Sequence, residues 1–362
     1  MAIATVFPAT AGNIYTGDAT GAYHSSFCPE LAAALREGGL DYDCRATKGT
    51  LDNMERVATE PAAIGYGQLD VLALGARYFG GSDAFQRIRS DDVRECLFAV
   101  TRNESLDSYG ALAGNAHRLR FVLPPVNSGS ATTFRFLQSF DKDLALAREV
   151  VHASDTEEAL RMALSAEDTV AVFVQFPDPD NPRFKLVRQL GGRFVSMLDK
   201  TILEQRLGDA RVYFPQETQV AHAGWLRRGT NLVTACTPMV VFTGRTQSIA
   251  NARAADEQAK AVALMRALPA ERTMPRQSLF ARVLKRTREI SGESAERLLA
   301  LSAEARERAK PMLDKAREAA DGASEATRPA RDKAHELGAG AYERAREGLK
   351  ELIEPGGSRS KP

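Results

Sequence analysis

The sequence has no long uncharged apolar segment and no excess of charge of one sign. Over its 362 residues, 48 Lys and Arg nearly balance 47 Asp and Glu. A membrane-spanning helix needs about 20 consecutive apolar residues, whereas compact apolar runs such as Val170 to Val174 have the length of a strand. We therefore expect no transmembrane helix, and no nucleic-acid partner because no overall basic field would attract one.

Cysteine and histidine are also scarce, which weighs against a metal site or an enzyme. The four cysteines allow one or two disulfides, but we expect free, partly buried thiols because cysteine often packs as a small hydrophobe. His24 and Cys28 are four residues apart, yet nothing marks an activated nucleophile. The HExxH, Walker A and GxGxxG motifs are absent. We predict a protein that is not an enzyme and uses no metal or other cofactor.

The N-terminal segment, residues 1–12, does not resemble a secretory signal. It lacks a basic start, and Pro8 interrupts its apolar run. Two locations stay open: the protein remains in the cytoplasm, or the sequence as given begins after a leader has been removed.

Composition divides the chain near Pro269 to Pro275. Residues 276–362 contain only two aromatic residues, Phe280 and Tyr342, and carry 19 Lys and Arg against 15 Asp and Glu. A shift of this size favours a boundary. We therefore predict one large domain at 13–272 and a helical tail at 273–362.

Within the front part, short β-rich runs alternate with helical patterns. The first strand-like runs are 13–16, 42–46 and 63–67, and the alternation restarts at Leu119. This β-α-β order predicts parallel sheets with crossover helices. Two such series predict an α/β domain of two lobes, the first at about 13–98 plus 232–272 and the second at about 99–231.

Three strand-to-helix turns combine glycine with small hydroxyl residues. They are 16–23, 47–50 and 124–130. Each would leave backbone N–H groups at a helix N-terminus, where an anion is favoured, and beyond the carboxyl ends of strands, where α/β sheets bind ligands. N-capping alone also explains Ser, Thr and Asp at such positions, so both interpretations stay open.

The order of these motifs resembles the TAXI family of solute-binding proteins of TRAP transporters. The matching motifs are Gly17-x-x-x-Gly21-x-Tyr23, Ala46-Thr47-x-Gly49-Thr50-x-x-Asn53, Gly65-x-x-Gln68-x-Asp70, Pro124-Pro125-x-x-Ser128-Gly129-Ser130 and Val233-Thr234-x-x-Thr237-Pro238. They fall within residues 13–268. The resemblance implies a two-lobed periplasmic-binding-protein fold of type II, with crossing strands near 94–101 and 232–242.

The resemblance also implies a ligand and a place for it. A small acidic solute, an amino acid or an organic acid, would lie between the lobes and be delivered in the periplasm to a TRAP-type membrane permease. The implied lining is Tyr23, Thr47, Lys48, Gly49, Thr50 and Gln68 from the first lobe, with Ser128, Gly129, Ser130, Thr133 and Gln175 from the second. The solute carboxylate would dock at 128–133, and Tyr23 would cover the solute. The family usually has glycines where this chain has Asp- and Pro-rich residues 175–182, so we expect a stiffer, more acidic cleft wall.

The tail carries an 18-residue repeat, which equals five helical turns. Pro311-x-x-Asp314-Lys315 recurs as Pro329-x-x-Asp332-Lys333. We predict amphipathic helical segments that the two prolines break or kink. The narrow apolar face begins with Leu298, Leu301, Ala305 and Ala309. A mobile appendage, pairing with a helix in cis or in a homo-oligomer, and contact with an anionic membrane surface stay open.

Two functions are therefore compared. The leading hypothesis is a solute-binding protein for transport. The alternative is a cytoplasmic ligand-sensing or scaffolding protein of the same fold, with the helical tail as the element that contacts a partner or a membrane.

Overall fold

The computed structural model describes residues 12–222, 229–274, 288–290 and 293–322. The N-terminal segment before Gly12 and the second copy of the tail repeat, including Pro329, lie outside the described residues. The chain forms two compact units, residues 1–310 and 311–362. No helix among the described residues is long and apolar enough to cross a bilayer.

The first unit is built on strands and helices that alternate along the chain. The strands are β1 Gly12–Gly17, β2 Tyr42–Ala46, β3 Ile64–Gln68, β4 Phe85–Thr101, β5 Arg120–Leu123, β6 Glu149–His152, β7 Thr169–Gln175, β8 Arg193–Val195, β9 Arg206–Leu207, β10 Ala210–Arg211, β11 Phe214–Ala221, β12 Thr230–Gly244 and β13 Arg288–Glu289. The helices are α1 Cys28–Glu37, α2 Thr50–Thr59, α3 Leu69–Tyr78, α4 Tyr109–Gly114, α5 Gly129–Phe140, α6 Thr156–Ala163, α7 Pro182–Gln189, α8 Lys200–Leu203, α9 Ala252–Ala267 and α10 at 293–322.

The main sheet has the strand order β2-β1-β3-β12-β4-β7-β5-β6. The outer groups, β2-β1-β3 and β7-β5-β6, are parallel within themselves. Strand β12 runs antiparallel to β3 and to β4, and β4 runs antiparallel to β7. The predicted pair of α/β lobes is therefore confirmed in its architecture.

Two long strands connect the lobes. Residues 239–243 of β12 pair with β3 in the first lobe, while residues 96–100 of β4 pair with β7 in the second. The predicted crossing strands are thus confirmed, although both are longer than expected, at 17 and 15 residues. Strand β7 is buried along its whole length, which accounts for its continuous apolar sequence.

The cysteines form two disulfides, so the expectation of free thiols is wrong. Cys28 at the start of α1 is bonded to Cys44 of β2, and Cys96 of β4 is bonded to Cys236 of β12. Cys96 and Cys236 are register partners midway along the crossing strands. A Cys28 thiolate is also excluded, which removes the His24–Cys28 pair as a nucleophile.

The first part of α10 packs on the second lobe through polar side chains. Arg306 makes a bidentate contact with Asp141 (2.8 and 3.2 Å) and bonds Asp143 at 3.0 Å. Ser302 donates to Asp199 at 2.7 Å and accepts from the Gly110 N–H at 2.8 Å. Burial alone would raise the pKa of Asp141, but the hydrogen bond and charge of Arg306 hold it below its ordinary value.

Two expectations about this helix are corrected. Leu301, which we placed on the apolar face, is 49% exposed, whereas Ser302 is fully buried. The helix can approach closely because Gly110 lacks a side chain: a Cβ there would lie 1.7 Å from the Ser302 carbonyl oxygen. Residues 293–322 are helical on both sides of Pro311, so the helix does not break there, and a kink at Pro311 stays a prediction.

Candidate functional site

A cleft of about 920 Å³ lies between the lobes, beyond the carboxyl ends of β1, β2, β3, β5 and β7. Ten of the eleven residues expected at the site line this one cleft. They are Tyr23, Thr47, Lys48, Gly49, Thr50, Gln68, Ser128, Gly129, Ser130 and Gln175. The structure therefore brings together residues that are up to 152 positions apart in the sequence.

The N-termini of α2 and α5 face each other across the cleft. Gly49, the N-cap of α2, has φ +136°, a conformation that glycine adopts without strain. A Cβ on Gly49 would lie 2.8 Å from the Asn127 carbonyl oxygen, in the loop that leads into α5. Gly67 of β3 likewise leaves room for Thr50, since a Cβ there would lie 2.4 Å from the Thr50 methyl. Glycines thus set the close approach of the two helix starts.

Backbone N–H groups are free donors at these helix starts, where several hydroxyls already have a partner. The Ser128 hydroxyl caps α5 by accepting from the Ala131 N–H at 3.2 Å. The Ser130 hydroxyl accepts from the Val174 N–H at 2.9 Å, and the Thr47 hydroxyl donates to Asn53 at 2.5 Å. First-turn N–H groups have no acceptor within a helix, and those of Thr50, Gly129 and Ser130 have none elsewhere among the described residues.

Thr133, the eleventh expected residue, lies outside the cleft lining. It is fully buried and donates to Asp70 Oδ2 at 2.6 Å, to which the Tyr213 hydroxyl also donates at 2.9 Å. Burial raises the pKa of Asp70, although these two hydrogen bonds lower it. Thr133 lies on α5 and Asp70 on α3, so this cluster connects the two lobes beneath the cleft.

Tyr23, which we expected to cover the solute, lines the cleft and packs into its wall. Its hydroxyl donates to Glu95 Oε2 at 2.5 Å. Its ring stacks on Tyr66, with 5.7 Å between centroids, and meets the edge of Phe176 at 6.2 Å. Burial, and next the charge of Glu95, raise the pKa of the Tyr23 hydroxyl well above its ordinary value. Tyr23 therefore positions Glu95.

Two glutamines at the cleft wall each leave one polar atom without a partner. Gln68 is 4% exposed and Gln175 is 6% exposed. The Gln68 amide bonds Glu95, and its Oε1 has no partner among the described residues. Gln175 Oε1 accepts from Arg183 at 3.2 Å, and its Nε2 is likewise unpartnered. Buried polar atoms are nearly always hydrogen-bonded, so the cleft offers a ligand one acceptor and one donor.

Glu95 and Arg183 are among the charged residues of the cleft that the sequence analysis missed. Glu95 lies on the crossing strand β4, and Arg183 lies in the first turn of α7. Burial raises the pKa of Glu95 to about 7, even though hydrogen bonds from Tyr23 and Gln68 lower it. Burial also lowers the pKa of Arg183, which stays charged because a guanidinium is so strongly basic. Neither residue belongs to the glycine-rich turns that drew attention in the sequence.

The wall formed by residues 175–182 is acidic and proline-containing, as its sequence indicates. Asp178, Asn181 and Pro182 line the cleft. On the first lobe, the exposed Lys48 is at the opposite wall. Among the described residues, no group of three or more His, Cys, Asp or Glu side chains is arranged to hold a metal ion.

Comparison with protein-family models finds no match, and comparison with curated sequences finds none. Solved structures do show likeness. MatC from Rhodopseudomonas palustris with bound malate is 14% identical, with a TM-score of 0.42 over 85% of this chain and 100% of that one. The GluR0 ligand-binding core with L-glutamate is 12% identical, with a TM-score of 0.39 over 81% and 100%. Periplasmic binding protein BugD is 12% identical, with a TM-score of 0.39 over 86% and 98%.

The strand order itself defines the class of fold. Two α/β lobes, each with parallel strands, are joined by two antiparallel strands that cross from one lobe to the other. This is the type II periplasmic-binding-protein architecture, here followed by a C-terminal helix.

Proposed function

We propose that the chain binds a small acidic solute, an amino acid or an organic acid, in the cleft between its lobes. The observation that carries this proposal is the convergence of two helix N-termini whose first-turn N–H groups are free. Such groups favour an anion because the helix dipole and the unsatisfied donors act together. The unpartnered Gln175 Nε2 and the Arg183 guanidinium add donors on the second lobe.

Binding is coupled to domain closure in this account. The lobes are joined by β4 and β12, so rotation about these strands would open and close the cleft. Gln68 and Gly49 on the first lobe meet Gly129 and Asn127 on the second. A carboxylate held between α2 and α5 would bring both lobes together and stabilise the closed form.

We further propose that the closed form delivers its solute to a TRAP-type membrane permease in the periplasm. The TAXI-like order of motifs supports this partner, and Gly17, Gly49, Gln68 and Gly129 of those motifs lie at the cleft. The two disulfides support an oxidising compartment, since disulfides are rare in the cytoplasm. Cell fractionation tests this step: recovery of the protein in the cytoplasm would instead favour the ligand-sensing alternative.

A thermal-unfolding screen of the full chain tests solute binding. The probes are the L-amino acids, C4 to C6 dicarboxylates and small monocarboxylates. A ligand present at 100 times its dissociation constant stabilises the folded state by about 2.7 kcal/mol. We expect one chemical class to raise Tm by several degrees. If no probe raises Tm, the proposal of a small carboxylate ligand is wrong.

A further inference from the structure

The first-lobe wall of the cleft holds a cluster of hydrogen-bond acceptors that a carboxylate ligand would not use. Glu95 is fixed by Tyr23 and Gln68, which both donate to it. The Gln68 amide nitrogen donates to Glu95. The Gln68 Oε1 is therefore an acceptor beside the Glu95 carboxylate, and it is buried and without a partner among the described residues. When Glu95 is ionised, its carboxylate and Gln68 Oε1 are both acceptors, so they favour a ligand group that donates hydrogen bonds.

The net charge of the side chains that line the cleft also favours a ligand with a positive group. Among the described lining residues, five carboxylates, Asp18, Glu95, Asp155, Glu157 and Asp178, stand against two cations, Lys48 and Arg183. A solute with only negative groups would enter an environment with an excess of its own charge. A solute with one positive and one negative group would match both the acidic wall and the paired helix N-termini.

Building on the proposed function, we propose that the cleft selects a zwitterion, an α-amino acid or another small carboxylate that carries an ammonium group. The ammonium binds Glu95 and Gln68 Oε1. The carboxylate binds the first-turn N–H groups of α2 and α5. The three N–H donors of an ammonium fit these acceptors, whereas a hydroxyl supplies one donor and a second carboxylate none.

The protonation of Glu95 makes this assignment testable by pH. The groups packed around Glu95 are the Tyr23 hydroxyl, the Gln68 amide, and the carboxylate of Asp70 on α3, with Tyr66 beyond Tyr23. Burial, with a smaller contribution from Asp70, raises the pKa of Glu95 to about 7. An ammonium binds the ionised form, so affinity for an amino acid should rise between pH 6 and pH 8. A second ligand carboxylate would bind the protonated form and lose affinity over the same range.

Isothermal titration calorimetry of the full chain with matched pairs of ligands tests whether the cleft selects a zwitterion. The pairs are L-alanine and L-lactate, L-aspartate and L-malate, and L-glutamate and L-2-hydroxyglutarate. The two members of each pair differ only in having an amino group or a hydroxyl group on the α-carbon. In the pair that binds, we expect the amino acid to bind at least tenfold more tightly. Glu95→Gln should remove most of that difference by weakening the amino acid. Glu204→Gln, the same substitution at an exposed position outside the cleft lining, should change neither affinity.

The outcomes separate this inference from the proposed function. If hydroxy acids bind the wild-type chain as tightly as amino acids do, the proposal of a zwitterionic ligand is wrong, whereas the proposed carboxylate site is not contradicted. A fall in amino-acid affinity from pH 6 to pH 8 in the wild-type chain overturns the proposal of a zwitterionic ligand as well, without any variant that has to fold. If no member of any pair and no probe of the wider screen binds, the proposed function itself fails.

Discussion

Gln68 Oε1 on the first lobe lies directly against Gly129 on the second. A Cβ on Gly129 would be 2.3 Å from that oxygen. This contact lies between the proposed ammonium site, at Gln68 Oε1, and the proposed carboxylate site, at the start of α5. The two sites are therefore close together. A small solute, rather than an extended one, fits this spacing.

Gly49→Ala should weaken solute binding at least tenfold. An alanine Cβ would lie 2.8 Å from the Asn127 carbonyl oxygen, which is backbone and cannot rotate away, so the two helix starts must separate. Gly39→Ala is the control, because Gly39 also has a positive φ (+78°) but no atom near its Cβ position. Gly39→Ala should lose about 1–2 kcal/mol of stability from backbone strain, and Gly49→Ala should lose more, because φ +136° and ψ −171° lie in a region that is essentially restricted to glycine. Equal affinities of the two variants for the carboxylate that stabilises wild type would contradict the account.

Glu95→Gln should become more stable relative to wild type as pH rises. Burial raises the pKa of Glu95 from 4.5 to about 7, so the folded protein holds a proton that the unfolded chain has lost between these values. The contribution of Glu95 to the free energy of unfolding is therefore lost as pH rises through this window, and glutamine does not titrate. Urea unfolding at pH 5 and 7.5 should show a relative gain of about 1–3 kcal/mol for the variant. A constant difference would mean that Glu95 ionises normally.

Arg306→Ala should destabilise the fold strongly. Its removal takes a guanidinium away from the buried carboxylates of Asp141 and Asp143, and breaking a buried ion pair costs about 3–5 kcal/mol. Arg308→Ala is the control, because Arg308 pairs with Glu304 at an exposed position, where such pairs contribute about 0–1 kcal/mol. Urea denaturation measures both. Similar losses for Arg306 and Arg308 would show that α10 does not depend on this contact.

Removing the disulfide between the crossing strands should cost more than removing the other one. Cys96 and Cys236 are 140 positions apart, whereas Cys28 and Cys44 are 16 apart, and the chain-entropy model gives about 5 and 3 kcal/mol for loops of these lengths. The double variants Cys96→Ala/Cys236→Ala and Cys28→Ala/Cys44→Ala can be compared by urea unfolding. The reverse order of stability would contradict this expectation. Detection of free thiols in the native protein would rule out the pairing itself.

The architecture was predictable because alternating strand and helix patterns fix a parallel α/β topology. The strand at 42–46 matches its expected bounds. The disulfides were not predictable, since Cys96 and Cys236 meet only through the antiparallel register of β4 and β12. Spacing along the chain contains no trace of that register.

The residues of the candidate site that lie in local turns were predictable from the sequence, and the others were not. Glycine and hydroxyl turns can be recognised from short segments, so Gly49 and Gly129 were found. Glu95 lies within a long strand, and only the crossing of the lobes places it at the cleft. On α10, Ser302 and Arg306 are buried by specific polar partners, which hydrophobic periodicity does not detect. Thr133 follows the same turn as Ser130, but its position further along α5 places it against Asp70, outside the cleft lining.

The central claim is that a small carboxylate is held by the backbone N–H groups at the starts of α2 and α5. The most direct test is a two-dimensional amide NMR titration of the deuterated, ¹⁵N-labelled full chain, using whichever probe most raises Tm. The account predicts that the largest shifts fall on the amide signals of Thr50, Gly129 and Ser130 and saturate together with a single dissociation constant. Saturable binding that leaves these three amides unmoved would contradict it.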